Sequence, residues 1–297
     1  MSNQPGILLL DKPAGLTSFS AVSRVRRICN IKKAGHTGTL DPMATGVLPI
    51  LFGGATRFAE FLPSHDKAYL AGFQLGITTT TLDISGEILT QSPAEHIMRD
   101  DILQALVQFR GKIMQVPPMV SALKKDGKRL YELARQGIEI ERPARPVEIF
   151  TLELVDKTQI YVECSAGTYI RSLIDDMGRS LGCGAAMNSL RRTKANGFDI
   201  SHGQTLEQLE QGQARILPID QALDAYPAVQ VSPAQAVRFR NGGHLRCSYV
   251  ASLCPNQVSE KFDPAEGELY RVYHEEDFLG LGRAQGENLA IARLLVN

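Results

Sequence analysis

Asp41 is the residue around which the chemistry of this chain can be organised. It lies in GHTGTLDPMATGVLP (35–49), a stretch dense in Gly, Pro and Thr that reads as a loop. Gly35, Gly38 and Gly46 permit left-handed or tight backbone and let another molecule approach closely. Pro42 fixes the turn just after the carboxylate. A carboxylate is thereby held among small neighbours where a large substrate can reach it, in position to act as a nucleophile or a base. Taken alone, an Asp-Pro pair suits equally an Asx-type turn in which the side chain caps its own backbone. Three other residues belong to the same question. Arg171 can lower the pKa of a neighbouring carboxylate and orient it through two hydrogen bonds, or it can pair with Asp175 at i+4 for about 0.2–0.5 kcal/mol. Tyr69 is either a core residue of an alternating strand or a ring offered to a ligand. His36 has no histidine near it in sequence, so a metal site there is not expected.

Stepping outward, GILLL (6–10) reads as a short buried strand and DKPAG as the turn that ends it. Thr17 or Ser18 can cap a helix over 18–29, in which Phe19, Val22, Val25 and Ile28 form the apolar side. VLPILF, KAYLAGFQL (67–75), GEILT, RPVEIFTLELVDK and TQIYVECS have strand character. Arg99–Phe109, with Ile102, Leu103, Leu106 and Phe109 on one side, and 168–181 read as helices, and Leu130–Gln136 as a short one closed by Gly137. After Tyr226–Pro227 the chain turns short, Gly-rich and strand-like, a β domain of roughly 70 residues, a size that can fold alone.

Composition bounds the rest. The 297 residues are 43% hydrophobic and 22% charged, ordinary globular values. No apolar run approaches the roughly 18–20 residues that cross a bilayer, and the start lacks a signal-peptide pattern. Five cysteines without a CxxC pair fit neither a disulfide framework nor a zinc site and point to a reducing cytoplasm. The formal net charge of zero hides an uneven distribution: residues 1–50 carry six basic against two acidic side chains, and residues 251–297 four against eight. A basic face is therefore available for an anionic partner.

GHTGTLDPMATGVLP resembles the signature of the TruB family, the tRNA pseudouridine-55 synthases. GILLLDKPAGLTS (6–18), KAY (67–69), SALKKDGKRLYELARQG (121–137), CSAGTYIRSLIDDMG (164–178) and LRRT (190–193) follow in the family's order. The resemblance implies an α+β pseudouridine synthase fold with a mixed, largely antiparallel sheet. It places the catalytic domain over 1–226, an RNA-gripping insertion at about 111–140, and a PUA-like β domain over 227–297. It implies isomerisation of uridine 55 in the tRNA T-loop by base flipping, with Asp41, Tyr69 and Arg171 catalytic. Since no atoms are gained or lost, no cofactor and no metal are needed. Three roles stay open for Asp41: attack at C1′, attack at C6, or removal of a sugar proton. Glycoside hydrolases usually add a second carboxylate to activate water; none is evident beside Asp41, which suits a reaction that keeps water out.

By the same resemblance Tyr69 stacks on the target base and helps remove its C5 proton, Tyr169 and Leu190 line the uracil pocket, and His36 fills the gap left by the extruded base. Lys12 is counted with the substrate-binding residues. Lys124, Lys125, Lys128 and Arg129, and then Arg191 and Arg192, are expected to meet phosphates. The implied partner is the T-arm of tRNA, met by a monomer without guide RNA, obligate protein partner or membrane. Thr80, Val120 and Ala166 depart from the family's commoner Asp, Tyr and Lys, which bears on RNA contacts rather than on the reaction. A non-catalytic RNA chaperone, a guide-dependent relative like dyskerin and a hydrolase are the competing classes.

Overall fold

The structure, a computed structural model, describes residues 5–62, 64–121, 123–125, 127–252 and 264–296. A ten-stranded sheet carries the molecule. Its principal strands are β1 (Gly6–Lys12), β2 (Ala34–His36), β3 (Thr45–Phe52), β4 (Lys67–Leu75), β5 (Gly111–Gln115), β6 (Arg145–Asp156), β7 (Gln159–Cys164) and β8 (Ala185–Ala195). Across the sheet the order is β1, β3, β8, β4, β7, β6, β5, with Leu217–Pro218 beyond β1 and β2 paired to β3. Every described pairing within it is antiparallel except β3 with β8.

β1 is apolar throughout because both its faces are covered. Leu8 and Leu10 join one core cluster, while Ile7 and Leu9 join another on the opposite side. The first face receives helices α1 (Ser18–Ile28), α2 (Arg99–Val107) and α3 (Ile170–Ser180), whose Val22, Val25, Ile102, Leu106, Leu173 and Ile174 pack with Tyr69, Ala71 and Phe73 of β4. Thr17 caps α1 by accepting from the Ser20 amide. The buried side of α1 is Ser18, Ala21, Val22 and Val25. Phe19, expected on that side, is 78% exposed: the buried stripe runs through 18, 21, 22 and 25, and at 3.6 residues per turn position 19 falls outside it. Leu103, expected among the buried residues of α2, is likewise exposed.

A six-stranded sheet follows, built from 228–230, 245–246, 251–252, Leu269–His274, Asp277–Gln285 and Asn288–Leu294. Between its strands lies a helix, Pro233–Arg240, in a region whose composition points to strands. Leu281 sits in the second core cluster with Ile7, Leu9, Phe58 and Leu223. The later sheet thus covers the face of the main sheet opposite α1 and α3.

Candidate active site

The 35–49 stretch is not all loop. Ala34–His36 and Thr45–Phe52 are strands, and only 37–44 is irregular. That irregular stretch is held by three buried side chains. Lys12 Nζ donates to the carbonyls of Pro13 (2.8 Å), Leu16 (2.8 Å) and Pro42 (3.4 Å). Arg192 donates to those of Val47 (2.8 Å), Thr39 (3.3 Å) and Gly38 (3.2 Å). The Ser18 hydroxyl donates to the Leu40 carbonyl (3.1 Å) and accepts from its amide (2.8 Å). Of the three glycines, only Gly46 has a positive φ, +108°, and a Cβ there would lie 2.2 Å from the Arg192 carbonyl oxygen. Asp41 is thus presented by backbone whose carbonyls are already engaged.

Its carboxylate meets Arg171, the second residue of α3. Nε lies 3.0 Å from Oδ2, and Nη2 donates to Oδ1 at 3.3 Å. This two-pronged contact is the one the sequence reading expected; Asp175 pairs instead with Arg179, at 2.8 Å. The buried guanidinium also donates to the carbonyls of Thr81 (2.9 Å) and Val120 (2.8 Å). Position 120 therefore serves Arg171 through its backbone, which valine supplies as well as tyrosine.

A second carboxylate does stand nearby, contrary to expectation. Asp83 Oδ2 is 3.7 Å from Arg171 Nη1. The other oxygen, Oδ1, accepts from the Thr81 hydroxyl at 2.7 Å, the Ser85 amide at 3.0 Å and the Ser85 hydroxyl. With those bonds made and only 5% of the residue exposed, Asp83 is placed to hold Arg171 rather than to activate water. TTTTLDIS carried a signal for it, since an Asp flanked by Thr and Ser at two residues' distance is an Asx-type turn; nothing local said that the turn would face Arg171.

Burial pushes the Asp41 carboxyl above its ordinary 3.8; Arg171 and Lys12 oppose this and Asp83 reinforces it. Burial also raises the Tyr69 phenol to about 12, so it is un-ionised at neutral pH. His36 is lowered by burial and by Arg192, hence neutral there too.

Asp41, Tyr69, Tyr169, Arg171 and Leu190 converge on one cavity of about 310 Å³, with Lys67 and Ser121 also in its wall. Tyr169 is positioned by Gln115, which accepts from its amide at 2.8 Å and donates to its carbonyl at 3.0 Å. Thr39, Leu40, Asp41 and Ser121 also line a second space of about 910 Å³, which His36, Thr80, Phe19 and Val120 share. His36 is not on an exposed loop: it lies in β2, half-buried, paired with Ile50 of β3. Ala166 stands away from both, beside Arg145 in a third cavity.

Two expected substrate contacts need correction. Lys12 and Arg192 are each fully buried and committed to backbone carbonyls, so neither is free to meet a phosphate. Arg191 is half-buried and pairs with Asp11 at 2.8 Å. Lys124–Lys125 and Lys128–Arg129 form a two-stranded hairpin; the side chains of Lys125 and Arg129 lie outside the described residues. Among the described residues no group of His, Cys, Asp and Glu could hold a metal ion.

A buried guanidinium thus holds a carboxylate by two contacts at the wall of a cavity of about 310 Å³, on a mixed sheet. The N-terminal domain model of the TruB family pseudouridylate synthases matches residues 26–170. The tRNA pseudouridylate synthase B C-terminal domain matches 171–225, and the C-terminal model of pseudouridine synthase II TruB matches 227–296. Among curated relatives, the tRNA pseudouridine synthase B of Stutzerimonas stutzeri is 50% identical over 254 residues, 81% of this chain and 83% of that one. The enzyme of the same name from Aromatoleum aromaticum is 45% identical, covering 98% and 92%. The structure is similar to that of a Cbf5–Nop10–Gar1 complex, with a TM-score of 0.70 at 26% identity over 99% of this chain and 86% of that one. It also resembles an H/ACA RNP bound to a substrate RNA containing 2′-deoxyuridine, with a TM-score of 0.69 at 25% identity, covering 98% and 85%. The chain belongs to the TruB family of pseudouridine synthases.

Proposed function

We propose that this protein converts uridine 55 in the T-loop of tRNA to pseudouridine, without cofactor or guide RNA. The observation that carries the reading is the Asp41–Arg171 contact at 3.0 Å and 3.3 Å, at the wall of the cavity that also holds Tyr69, Tyr169 and Leu190. The curated relatives, aligned over most of the chain, are named as tRNA-modifying enzymes.

A base inside a folded loop must leave its stack to reach Asp41, at a cost of a few kcal/mol. His36, neutral and half-buried at the rim, offers a flat ring to the space so vacated. Tyr69 and Leu190 sandwich or floor the uracil, and Tyr169 closes it from the α3 side. Asp41 then acts at C1′, at C6 or on a sugar proton while the glycosidic bond breaks and C5 replaces N1. The Arg171 guanidinium keeps the carboxylate aligned through two bonds and favours its ionised form. The 111–140 segment supports the RNA through Lys125 and Arg129, and the 227–297 β domain supports it more distantly. The protein acts as a monomer in the cytoplasm.

The decisive experiment incubates the purified protein with an unmodified tRNA transcript and no guide RNA, then maps pseudouridine chemically. Modification at position 55 is expected, and Asp41→Asn should lose it while still binding the transcript. A wild-type protein that binds but never modifies would favour the chaperone or the guided class.

A further inference from the structure

Phe19 is the most exposed large apolar side chain among the described residues, at 78%. Single exposed hydrophobics are commonplace and ask for no explanation. This one differs in its setting. It forms one wall of the 910 Å³ groove, with Met119 and Val120 among the other residues lining it. That groove runs into the 310 Å³ cavity through shared walls at Thr39, Leu40, Asp41 and Ser121. The backbone that carries the ring is also tied to the loop that carries the carboxylate. Its neighbour Ser18 is 2% exposed and clasps Leu40, next to Asp41, with both a donated and an accepted hydrogen bond. The α1 N-terminus and the Asp41 loop therefore form one rigid piece. Once the smaller cavity holds the target uracil, the larger groove remains, apolar on two sides and open to the same RNA.

We propose that Phe19 is a stacking platform for a second, unpaired nucleobase of the substrate RNA, held in the groove between α1 and the Met119–Ser121 segment. This rests on the reading that the substrate is a folded RNA loop. A phenyl ring suits the task because every base has a face to stack on it, so it adds affinity with little sequence preference. The groove's continuity with Asp41 sets the occupant as a nucleotide of the same strand as the target. Phe19 is accordingly a positioning residue: it holds the loop open and does not touch the reacting atoms.

The chain contains no tryptophan, so Phe19→Trp places the protein's one indole at the groove, where it can be excited apart from the tyrosines. In an Asp41→Asn background, which keeps the RNA unconverted, a T-arm stem-loop should quench it saturably. A series of stem-loops, each lacking one loop base, should lose the quench at one position other than the target uridine. Phe19→Ala, with Asp41 intact, should raise the Kd for the same RNA about tenfold. The single-turnover rate at saturating RNA and the melting temperature should stay as in the wild type, and Phe19→Tyr should restore affinity. An unchanged Kd in Phe19→Ala, or a quench that survives every base deletion, overturns the proposal. So does a slower single-turnover rate with unchanged Kd, because that places Phe19 on the reacting groups. A wild-type protein that makes no pseudouridine while the position-specific quench persists refutes the catalytic reading and leaves this one standing.

Discussion

Asp41 occupies a position that favours its function over its stability. Burial raises its pKa above 3.8 despite the arginine beside it, so the folded state holds the ionised form less readily than the unfolded chain does. Worked through by linkage, the unfolded chain binds fewer protons at this group between the two pKa values, so its contribution to stability falls as pH rises through the folded value. Asp41→Asn lifts that cost, and Arg171 keeps Asp83 and the Thr81 and Val120 carbonyls as partners. The variant should therefore melt higher than the wild type at pH 7, with the gain shrinking to nothing as pH falls below about 3.8, the unfolded value. Thermal melts from pH 3 to 8 test this; a lower melting temperature at pH 7 would show that the Asp41–Arg171 contact outweighs the burial. The identity of this pair was legible in the sequence, because the 35–49 and 164–178 motifs are long and specific. The fates of Lys12 and Arg192 were not. A basic residue in a motif reads as a phosphate contact, and only the fold shows that neighbouring carbonyls already engage each cation. Asp83 escaped for a related reason: its Asx turn is local, whereas its value lies in a guanidinium 88 positions further along the chain.

At the scale of elements, the site depends on how β3 and β8 meet. Their parallel contact puts Gly46 opposite Arg192, with φ at +108° and no room for a Cβ against the Arg192 backbone. Gly46→Ala combines positive-φ strain with a backbone collision and should cost about 3 kcal/mol or more. Because β8 carries Leu190 and β3 leads out of the Asp41 loop, the loss of activity at a permissive temperature should exceed that expected from the unfolded fraction alone. Denaturant titration beside single-turnover rates checks both, and near-wild-type stability would mean that the strands shift without strain. β8 is also the element least visible in the sequence: AAMNSLRRTKA mixes small, polar and basic residues because a strand in the middle of the sheet carries a buried cation, Arg192. The 233–240 helix was missed among strands although Ser232, Pro233 and Gln235 spell a capping box with Pro at N1. The Lys124–Lys125 and Lys128–Arg129 hairpin makes a further expectation. If Lys125 and Arg129 each neutralise a phosphate, Lys125→Gln and Arg129→Gln should each weaken RNA binding and reduce the slope of log Kd against log salt by about 0.7–0.9. An unchanged slope would remove that residue from the interface.

At the scale of the whole molecule, the later sheet does more than extend the chain. Its Leu281 is fully buried with Ile7, Leu9, Val47 and Phe58, residues of the main sheet's rear face and of the 3-10 helix Gly53–Phe61 beside it. Phe278 stacks obliquely on Phe58 at 5.8 Å, and Arg293 pairs with Glu60 at 2.6 Å. The exposed ion pair contributes about 0–1 kcal/mol, so the apolar contact decides the coupling. A roughly 70-residue unit that could fold alone by size is here joined to its neighbour through a common core. Leu281→Ala should cost about 2–5 kcal/mol, although the residue lies on the side of the sheet away from Asp41. In calorimetry the wild type should unfold in one transition, because the shared cluster couples two sheets that each also hold a core of their own. The variant should unfold at lower temperature, with its single-turnover rate constant unchanged while it is folded. Two resolved transitions in the wild type would mean that the shared cluster is weaker than either unit's own core. A slowed rate in folded Leu281→Ala would mean that strain at the rear of β1 and β3 reaches the Asp41 loop.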